Sequence, residues 1–194
     1  MSTSLKLPNV RLSFPDIFEA TQYQGKGAFR YNATFLIAPG SPNDKLILAA
    51  IEKEAEANFG KNWKAVLNGM RANSNKFCYL DGNTKEYDGY EGMFYLASHR
   101  RQEDGPVTVL DQNPKIVLTP ADGRPYGGCY VNALVDIYAQ NGENQGMRCG
   151  LRGVQFFRDG DAFGGSRPAQ PDEFDDVSEG AGAGDFGGDD NDLG

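Results

Sequence analysis

Residues 128–139 read Gly-Cys-Tyr-Val-Asn-Ala-Leu-Val-Asp-Ile-Tyr-Ala, and residues 146–158 read Gly-Met-Arg-Cys-Gly-Leu-Arg-Gly-Val-Gln-Phe-Phe-Arg. In the first stretch, small and aliphatic residues take every second position, which is typical of a strand with one buried face. Asn141-Gly142 lies between the stretches and is a strong hairpin signal. Gly150 and Gly153 indicate a bulge or sharp bend. We therefore predict a long β-hairpin.

Hydrophobic periodicity predicts the remaining elements. Apolar residues at helical spacing predict a helix from the N-cap Ser41 to Gly60, followed by a short helix at 62–67. Period-two alternation predicts strands at residues 8–14, 28–38, 77–80 and 93–98, a short strand at 115–118, and a loop over 15–27.

About six strands with one helical insertion predict a mainly β (α+β) protein. The arrangement fits a partly open barrel of the oligonucleotide-binding (OB) type. The OB helix usually follows the third strand, whereas here it follows the second predicted strand, so a strand could have been missed or split. An immunoglobulin-like sandwich is the alternative fold, but a helix of this length is awkward there.

The charged residues are unevenly distributed. The 194 residues carry a formal net charge of −8, and all 19 Lys and Arg lie at or before Arg167. Residues 168–194 contain nine of the 27 acids, so the body carries +1 and the C-terminal stretch −9. We predict a folded domain over 1–165 and a Gly/Asp-rich acidic tail over 166–194. The tail is expected to be disordered because it cannot bury enough apolar surface.

Several protein classes are disfavoured. No apolar run approaches the length of a membrane helix, and the N-terminus lacks the apolar core of a signal peptide. The three cysteines, Cys78, Cys129 and Cys149, are far apart and odd in number, which favours reduced thiols. We therefore expect a cytoplasmic protein without a disulfide framework.

Enzyme motifs are missing from the sequence. His99 is the single histidine, and no nucleophile elbow, phosphate loop or Cys-Xaa-Xaa-Cys pair occurs. We expect no catalytic residue, no metal and no cofactor. Two alternatives require tertiary assembly: a zinc site from the three cysteines with His99, and a nuclease metal site from Asp81, Asp88, Glu91 and Asp111.

Basic and aromatic residues lie side by side in the body, for example in Phe29-Arg30-Tyr31 and Lys76-Phe77-Cys78-Tyr79. Single-stranded nucleic acid offers phosphates to a basic groove and unstacked bases to flat rings. The residues predicted to contact phosphate are Arg30, Lys76, Arg100, Arg101, Arg148 and Arg152. The residues predicted to stack are Tyr31, Tyr79, Tyr95 and Tyr130, whereas Phe29, Phe35, Phe77 and Phe156 are expected in the core.

The acidic tail completes this pattern. Because it is tethered, it has a millimolar-scale effective concentration and could occupy the basic groove in place of phosphates. Displaced by DNA, it could recruit other proteins. A simple solubility tail is the alternative. The tail residues predicted to dock partners are Asp172, Glu173, Phe174, Asp175, Asp176, Asp185, Phe186, Asp189, Asp190 and Asp192.

Motifs along the whole body resemble the OB-fold single-stranded DNA-binding proteins of tailed bacteriophages. They are the opening residues 9–18, Phe29-Arg30-Tyr31 with Phe35-Leu36-Ile37, Ala97-Ser98-His99-Arg100-Arg101 before Pro106 and 109–111, residues 127–132, and 153–160 with Phe163-Gly164-Gly165. Each motif is weak alone, and their order and spacing make the resemblance fairly specific.

The resemblance implies non-sequence-specific binding of single-stranded DNA by residues 1–165 during phage replication, recombination or repair, in the host cytoplasm and without catalysis. It also implies that the acidic tail docks replication or recombination proteins. Related tails often end in an aromatic residue, whereas the last residues here are Asp192-Leu193-Gly194, so the sequence lacks the feature on which that docking mode depends. A homo-oligomer or cooperative assembly on DNA is possible. The alternative function is a non-enzymatic interaction or assembly module with a solubilising tail.

Overall fold

The predicted hairpin forms one wall of the molecule. In the computed structural model, which describes residues 1–165 and 174–177, β6 (Tyr130–Gln140) pairs antiparallel with β7 (Gly146–Arg158). Val131, Ala133, Val135 and Ile137 of β6 are fully buried, as their alternation predicts. Leu134 pairs with Gly153 and Val135 with Leu151, so Arg152 is the extra residue of a bulge. The predicted bulge is confirmed.

The first strand is longer than predicted. β1 (Thr3–Tyr23) runs through residues expected to form a loop, and it turns at Gln24-Gly25 into β2 (Lys26–Ile37). The prediction of a loop over 15–27 is wrong because register shifts after Ser13 interrupt the period-two pattern without ending the strand. Its N-terminal half pairs with β6 and its C-terminal half with β2.

A parallel contact closes the barrel. β4 (Phe94–Arg101) pairs antiparallel with β2, and its His99 pairs in parallel with Gly150 of β7. The closed ring therefore runs β1, β2, β4, β7, β6 and back to β1, which is the five-strand arrangement of an OB barrel. Beyond the His99 pair, Cys78 is inserted between the two strands: its N–H donates to Met147 O (3.0 Å), and its carbonyl accepts from Ala97 N (2.9 Å).

Two short strands extend the sheet beyond the ring. β3 (Tyr79–Asp81) pairs with β4, close to the strand predicted at 77–80. β5 (Thr108–Leu110) pairs in parallel with β7. The prediction of a strand at 115–118 is wrong. In this segment only Val117 forms a bridge, with Leu110. The regular strand lies earlier in the chain, at β5. Single 3-10 turns lie at Gly82–Thr84, Gln102–Asp104, Pro120–Asp122 and Phe163–Gly165.

Two helices lie between the second and third strands of the ring, in the order that the sequence predicts. α1 (Pro42–Asn58) begins at Ser41, whose Oγ accepts from Asp44 N (3.3 Å), and α2 spans Trp63–Met70. Ile47 and Ile51 of α1 are fully buried. α1 packs beside β1 and β6, where Thr3 Oγ1 donates to Glu54 Oε1 (2.5 Å). Within the described part of the chain, no helix is long and apolar enough to cross a membrane.

The alternation along β6 allows a matched test of the core. We expect Ile137→Ala to lower the free energy of unfolding by about 2–5 kcal/mol, because Ile137 is fully buried. Leu134→Ala on the same strand is the control: this side chain is 41% exposed, and its loss should change stability by about 0.5 kcal/mol or less. Equal effects of the two substitutions in urea denaturation would contradict the inward orientation of Ile137 and the outward orientation of Leu134.

Candidate nucleic-acid interface

The closure of the barrel gathers basic side chains on its outer surface. Arg30 of β2 stands opposite Arg101 of β4, and Arg148 and Arg152 come from β7 across the closing pair. A cleft of about 370 Å³ lies here. Arg100, Arg101, Arg152, His99 and Tyr138 line the cleft, and so do the acids Asp104 and Asp136. Arg30 and Arg148 lie close enough to His99 to influence its pKa. We call this surface the basic channel and define it by Arg30, His99, Arg100, Arg101, Tyr138, Arg148 and Arg152. Like charges opposed across strands destabilise a sheet, so the pair Arg30 and Arg101 favours an anionic ligand.

Two of the guanidinium groups are held by neutral oxygens. Arg100 donates from Nε to Gly105 O (2.9 Å) and also to Asp104 O. Arg148 donates to Gln140 Oε1 (3.2 Å) and to the carbonyls of Asn75 (2.5 Å) and Asn144 (3.2 Å). These bonds orient the charges but do not neutralise them, and an oriented, unneutralised guanidinium suits a phosphate.

The other predicted phosphate contacts are also available. Within residues 1–165 and 174–177, the side chains of Arg30 and Lys76 form no ion pair, and Lys76 lies beside Met147, where its carbonyl accepts from Met147 N (2.8 Å). Arg101 pairs with Glu103 (3.2 Å) and Arg152 with Asp136 (3.6 Å), and the cations of both pairs are at least half exposed. Such surface pairs are weak, so phosphates could compete with them.

His99 lies among these arginines and is neutral at neutral pH. Burial, together with the nearby charges of Arg30, Arg148 and Arg101, lowers the pKa of its imidazole to about 4. Burial raises the pKa of the neighbouring Tyr138, against the influence of Arg148. The channel therefore presents two uncharged rings beside its cations.

Three of the four predicted stacking tyrosines lie in the core. Tyr31, Tyr79 and Tyr95 are each at most 9% exposed, so the prediction that their rings stack on bases is wrong. Tyr79 donates its hydroxyl to Asp44 Oδ1 (2.7 Å), and the Tyr95 ring packs 5.4 Å from that of Tyr90. The hydroxyls of Tyr79 and Tyr95 have partners inside the protein, Asp44 and Thr84, which removes the reason for expecting these two rings at the surface.

Tyr130 is half-buried and lies away from the channel. The Arg158 guanidinium stacks over its ring at 3.7 Å from the centroid. Eight residues separate Tyr130 from Tyr138 on β6, roughly 26 Å at the rise of a strand. The structure therefore does not bring Tyr130 together with the predicted phosphate contacts, and its stacking stays a prediction.

The hairpin of β1 and β2 carries aromatic residues that sequence reasoning missed. Tyr23 is 80% exposed, and it lines a cleft of about 300 Å³ together with Lys26 and Arg30. Phe29 is 47% exposed, so its expected place in the core is wrong, whereas Phe35, Phe77 and Phe156 are buried as expected. Tyr23 lies in the segment predicted to be a loop, so it is not among the predicted stacking residues. Its closeness in sequence to Lys26 is the signal that could have indicated a stacking role.

The alternatives that need a metal are not assembled in the described part of the chain. Among residues 1–165 and 174–177, no three His, Cys, Asp or Glu side chains are placed to hold a metal ion, and this includes the four acids of the nuclease alternative. The cysteines are buried free thiols, and burial raises the pKa of Cys78 to about 12 and that of Cys129 to about 11.

Only a short piece of the predicted docking tail is described. Phe174, Asp175 and Asp176 are exposed, with 70% of Phe174 accessible. The other predicted docking residues, Asp172, Glu173, Asp185, Phe186, Asp189, Asp190 and Asp192, lie outside the described residues.

The low pKa of His99 makes the free energy of unfolding depend on pH. A substitution at His99 alone measures this contribution. Between about pH 6.5 and 4 the unfolded chain binds a proton at His99 that the folded chain does not, so stability falls as the pH falls through this window. We expect His99→Gln to lose less stability than the natural chain between pH 7 and 4.5, by on the order of 1 kcal/mol. The same pH dependence in the natural chain and in His99→Gln, measured by urea denaturation, would contradict the burial of His99 among the arginines.

Comparisons with known proteins agree with this geometry. The chain is 48% identical over 177 residues to protein p50 of Acyrthosiphon pisum secondary endosymbiont phage 1, covering 90% of this chain and 94% of that protein. The structure resembles the single-stranded DNA-binding protein of bacteriophage Enc34 in complex with ssDNA, with a TM-score of 0.68 and 20% identity over 83% of this chain and 89% of that one.

A second solved structure shares the fold. The single-stranded DNA-binding protein gp2.5 of bacteriophage T7 is similar with a TM-score of 0.55 and 13% identity, over 80% of this chain and 91% of that one. The likeness supports the OB-type barrel. Residues 3–186 match the family described as the ssDNA-binding protein of Enterobacter phage Enc34. The predicted resemblance is therefore confirmed, and the chain belongs to that family.

Proposed function

We propose that this protein binds single-stranded DNA without sequence specificity and without catalysis. The observation that carries the proposal is the convergence of Arg30, Arg100, Arg101, Arg148 and Arg152 on one strip of the barrel. The guanidinium groups of Arg30, Arg100 and Arg148 have no carboxylate partner among the described residues. The family match and the ssDNA complex of the Enc34 protein support the proposal.

Phosphate capture is the first part of the mechanism. OB barrels bind oligonucleotides on the face of their second and third strands, between the loops at either end. In this chain those strands are β2 and β4, and the basic channel lies on their outer side, where Arg30 faces Arg101. Contacts to the phosphate backbone carry no sequence information, so this part of binding is non-specific and sensitive to salt.

Base stacking is the second part. Tyr23 and Phe29 are exposed on the hairpin beside Lys26 and Arg30, and Tyr138 lies between the arginines. Every base has a flat face, so rings in this position hold bases without reading their identity. His99 adds a neutral ring at neutral pH.

The acidic tail supports a regulatory part of the proposal. Residues 168–194 carry −9, and the body presents Arg30, which is exposed and has no ion pair among the described residues, beside the weakly paired Arg101 and Arg152. We infer that the tail competes with DNA for the basic channel and that, once displaced, it docks replication or recombination proteins in the host cytoplasm. Roles in phage replication, recombination or repair follow from such binding to single strands.

One observation favours the second candidate function, a protein-interaction or assembly module. Phe14 is 56% exposed with a left-handed φ of 46°, and its ring lies 4.9 Å from that of Tyr87, itself 50% exposed. The two rings line a groove of about 450 Å³ together with Glu86 and Asp88. Tyr87→Ser separates the functions: it should leave DNA affinity unchanged and weaken any partner complex made through this groove.

DNA binding can be tested on the channel directly. We expect the natural chain to bind oligo-dT more tightly than a duplex of equal length in fluorescence anisotropy. Arg30→Ala should weaken binding and reduce the slope of log affinity against log salt by about 0.7, the contribution of one phosphate contact to a single strand. Lys115→Ala is the control, because Lys115 is exposed and lies outside the channel.

The stacking part has its own variants. Tyr23→Ser should cost about 1–3 kcal/mol of binding free energy, and Tyr23→Phe should retain most of it, because the ring and not the hydroxyl carries the contact. If a chain shortened after Arg167 fails to bind oligo-dT at about 50 mM salt, the proposed function is wrong.

Removing the tail tests the regulatory part. We expect a chain that ends at Arg167 to bind oligo-dT more tightly than the full chain, with the largest gain at low salt, because the tethered competitor is gone. A chain with the tail acids replaced by Asn and Gln is the matched control, and it should behave like the shortened chain. Unchanged affinity in both would leave solubility as the role of the tail.

A further inference from the structure

A second cleft adjoins the basic channel on the side of β5. It has a volume of about 380 Å³ and lies between β5 and the outer face of β6 and β7. Arg100 and Arg152 line both the channel and this space, which we call the side cleft. The two clefts therefore adjoin at Arg100 and Arg152.

The charged residues that line the side cleft are basic. They are Lys6, Arg100 and Arg152, and no Asp or Glu is among the described residues that line it. In the described part of the chain, the ammonium of Lys6 forms no hydrogen bond or ion pair. Arg152 is the bulge residue of β7, and its contacts with Ser4 Oγ (3.5 Å) and Asp136 (3.6 Å) are long. This end of the cleft suits a phosphate.

The floor and walls suit a base. Leu134 is 41% exposed at the floor, and Pro106 and Pro114 form apolar walls. Beside Leu134, Asn132 Nδ2 donates to Gln155 Oε1 (3.1 Å), and Gln155 Nε2 donates to Asp111 O (3.2 Å) and Gln112 O (3.1 Å). These amides are therefore fixed in place. Apolar walls with a few oriented polar groups are typical of small-molecule sites.

We propose that the side cleft holds one nucleotide of the bound single strand, with its base against Leu134 and its phosphate at Lys6 and Arg152. The inference rests on the proposed function, since it extends the path of the same DNA. Free phosphate and nucleotides share this chemistry, and the length of the DNA distinguishes them: a nucleotide of the strand can reach the cleft only when the strand also fills the channel.

The experiment measures the affinity of the full chain for oligo-dT of increasing length. The test variant is Lys6→Ser with Leu134→Glu, and the control is Lys115→Ser with Ile116→Glu, both exposed and outside the cleft. We expect the test variant to bind long oligonucleotides roughly tenfold more weakly than the natural chain, to bind the shortest ones equally well, and to reach its plateau about one nucleotide earlier.

Outcomes for the two proposals differ. The same length dependence in the natural chain and the test variant would overturn the side cleft and leave the proposed function standing. Failure of every length to bind the natural chain would overturn both. Equal weakening of short and long oligonucleotides would show an effect on the channel and would also overturn the side cleft.

A spectroscopic probe checks the location independently of affinity. The native cysteines are buried, so Leu134→Cys can be labelled selectively with a fluorinated reagent. We expect its fluorine resonance to shift with long oligo-dT and not with thymidine monophosphate or the shortest oligonucleotides. Ile116→Cys, labelled in the same way, should not shift. An unmoved resonance at Leu134→Cys under saturating long oligo-dT would overturn the proposal.

Discussion

The parallel pairing of His99 with Gly150 joins β4 to β7 and turns an open sheet into a closed barrel. The grouping of the basic side chains depends on this contact. It brings Arg148 and Arg152 of β7 beside Arg101 of β4 and Arg30 of β2, although Arg30 lies more than a hundred residues earlier in the chain. Without the closure, these charges would lie on separate edges of a sheet.

Charge concentrated in this way has a cost, and the structure shows how it is managed. Carbonyl oxygens of Asp104, Gly105, Asn75 and Asn144 hold two guanidinium groups, so neutral dipoles orient cations that no carboxylate of the described residues neutralises. Burial of the ring and, to a smaller extent, the same positive charges lower the pKa of His99, so the ring is uncharged at neutral pH. A polyanion entering the channel would find donors already oriented, which lowers the entropic cost of binding.

The structure places most of the predicted phosphate contacts together at the surface, whereas three of the four predicted stacking rings are buried, and the reason for the difference is physical. A long basic side chain reaches the surface from almost any strand position, so its residue type alone indicates exposure. A tyrosine does not: Tyr79 satisfies its hydroxyl on the buried Asp44, and Tyr95 packs against Tyr90. Tyr23 was not predicted as a stacking residue, because the register shifts of β1 interrupt the period-two alternation that would have indicated a strand there.

The sequence by itself determined the β6 and β7 hairpin, the helix that begins at Ser41, their order along the chain, and the concentration of acidic residues in 168–194. Each of these follows either from the preference of residue types for a local backbone geometry or from composition. The tertiary structure alone decided which strands close the ring, that β1 continues to Tyr23, and which rings face outward. These depend on contacts between residues distant in sequence, such as His99 with Gly150, which no local pattern encodes.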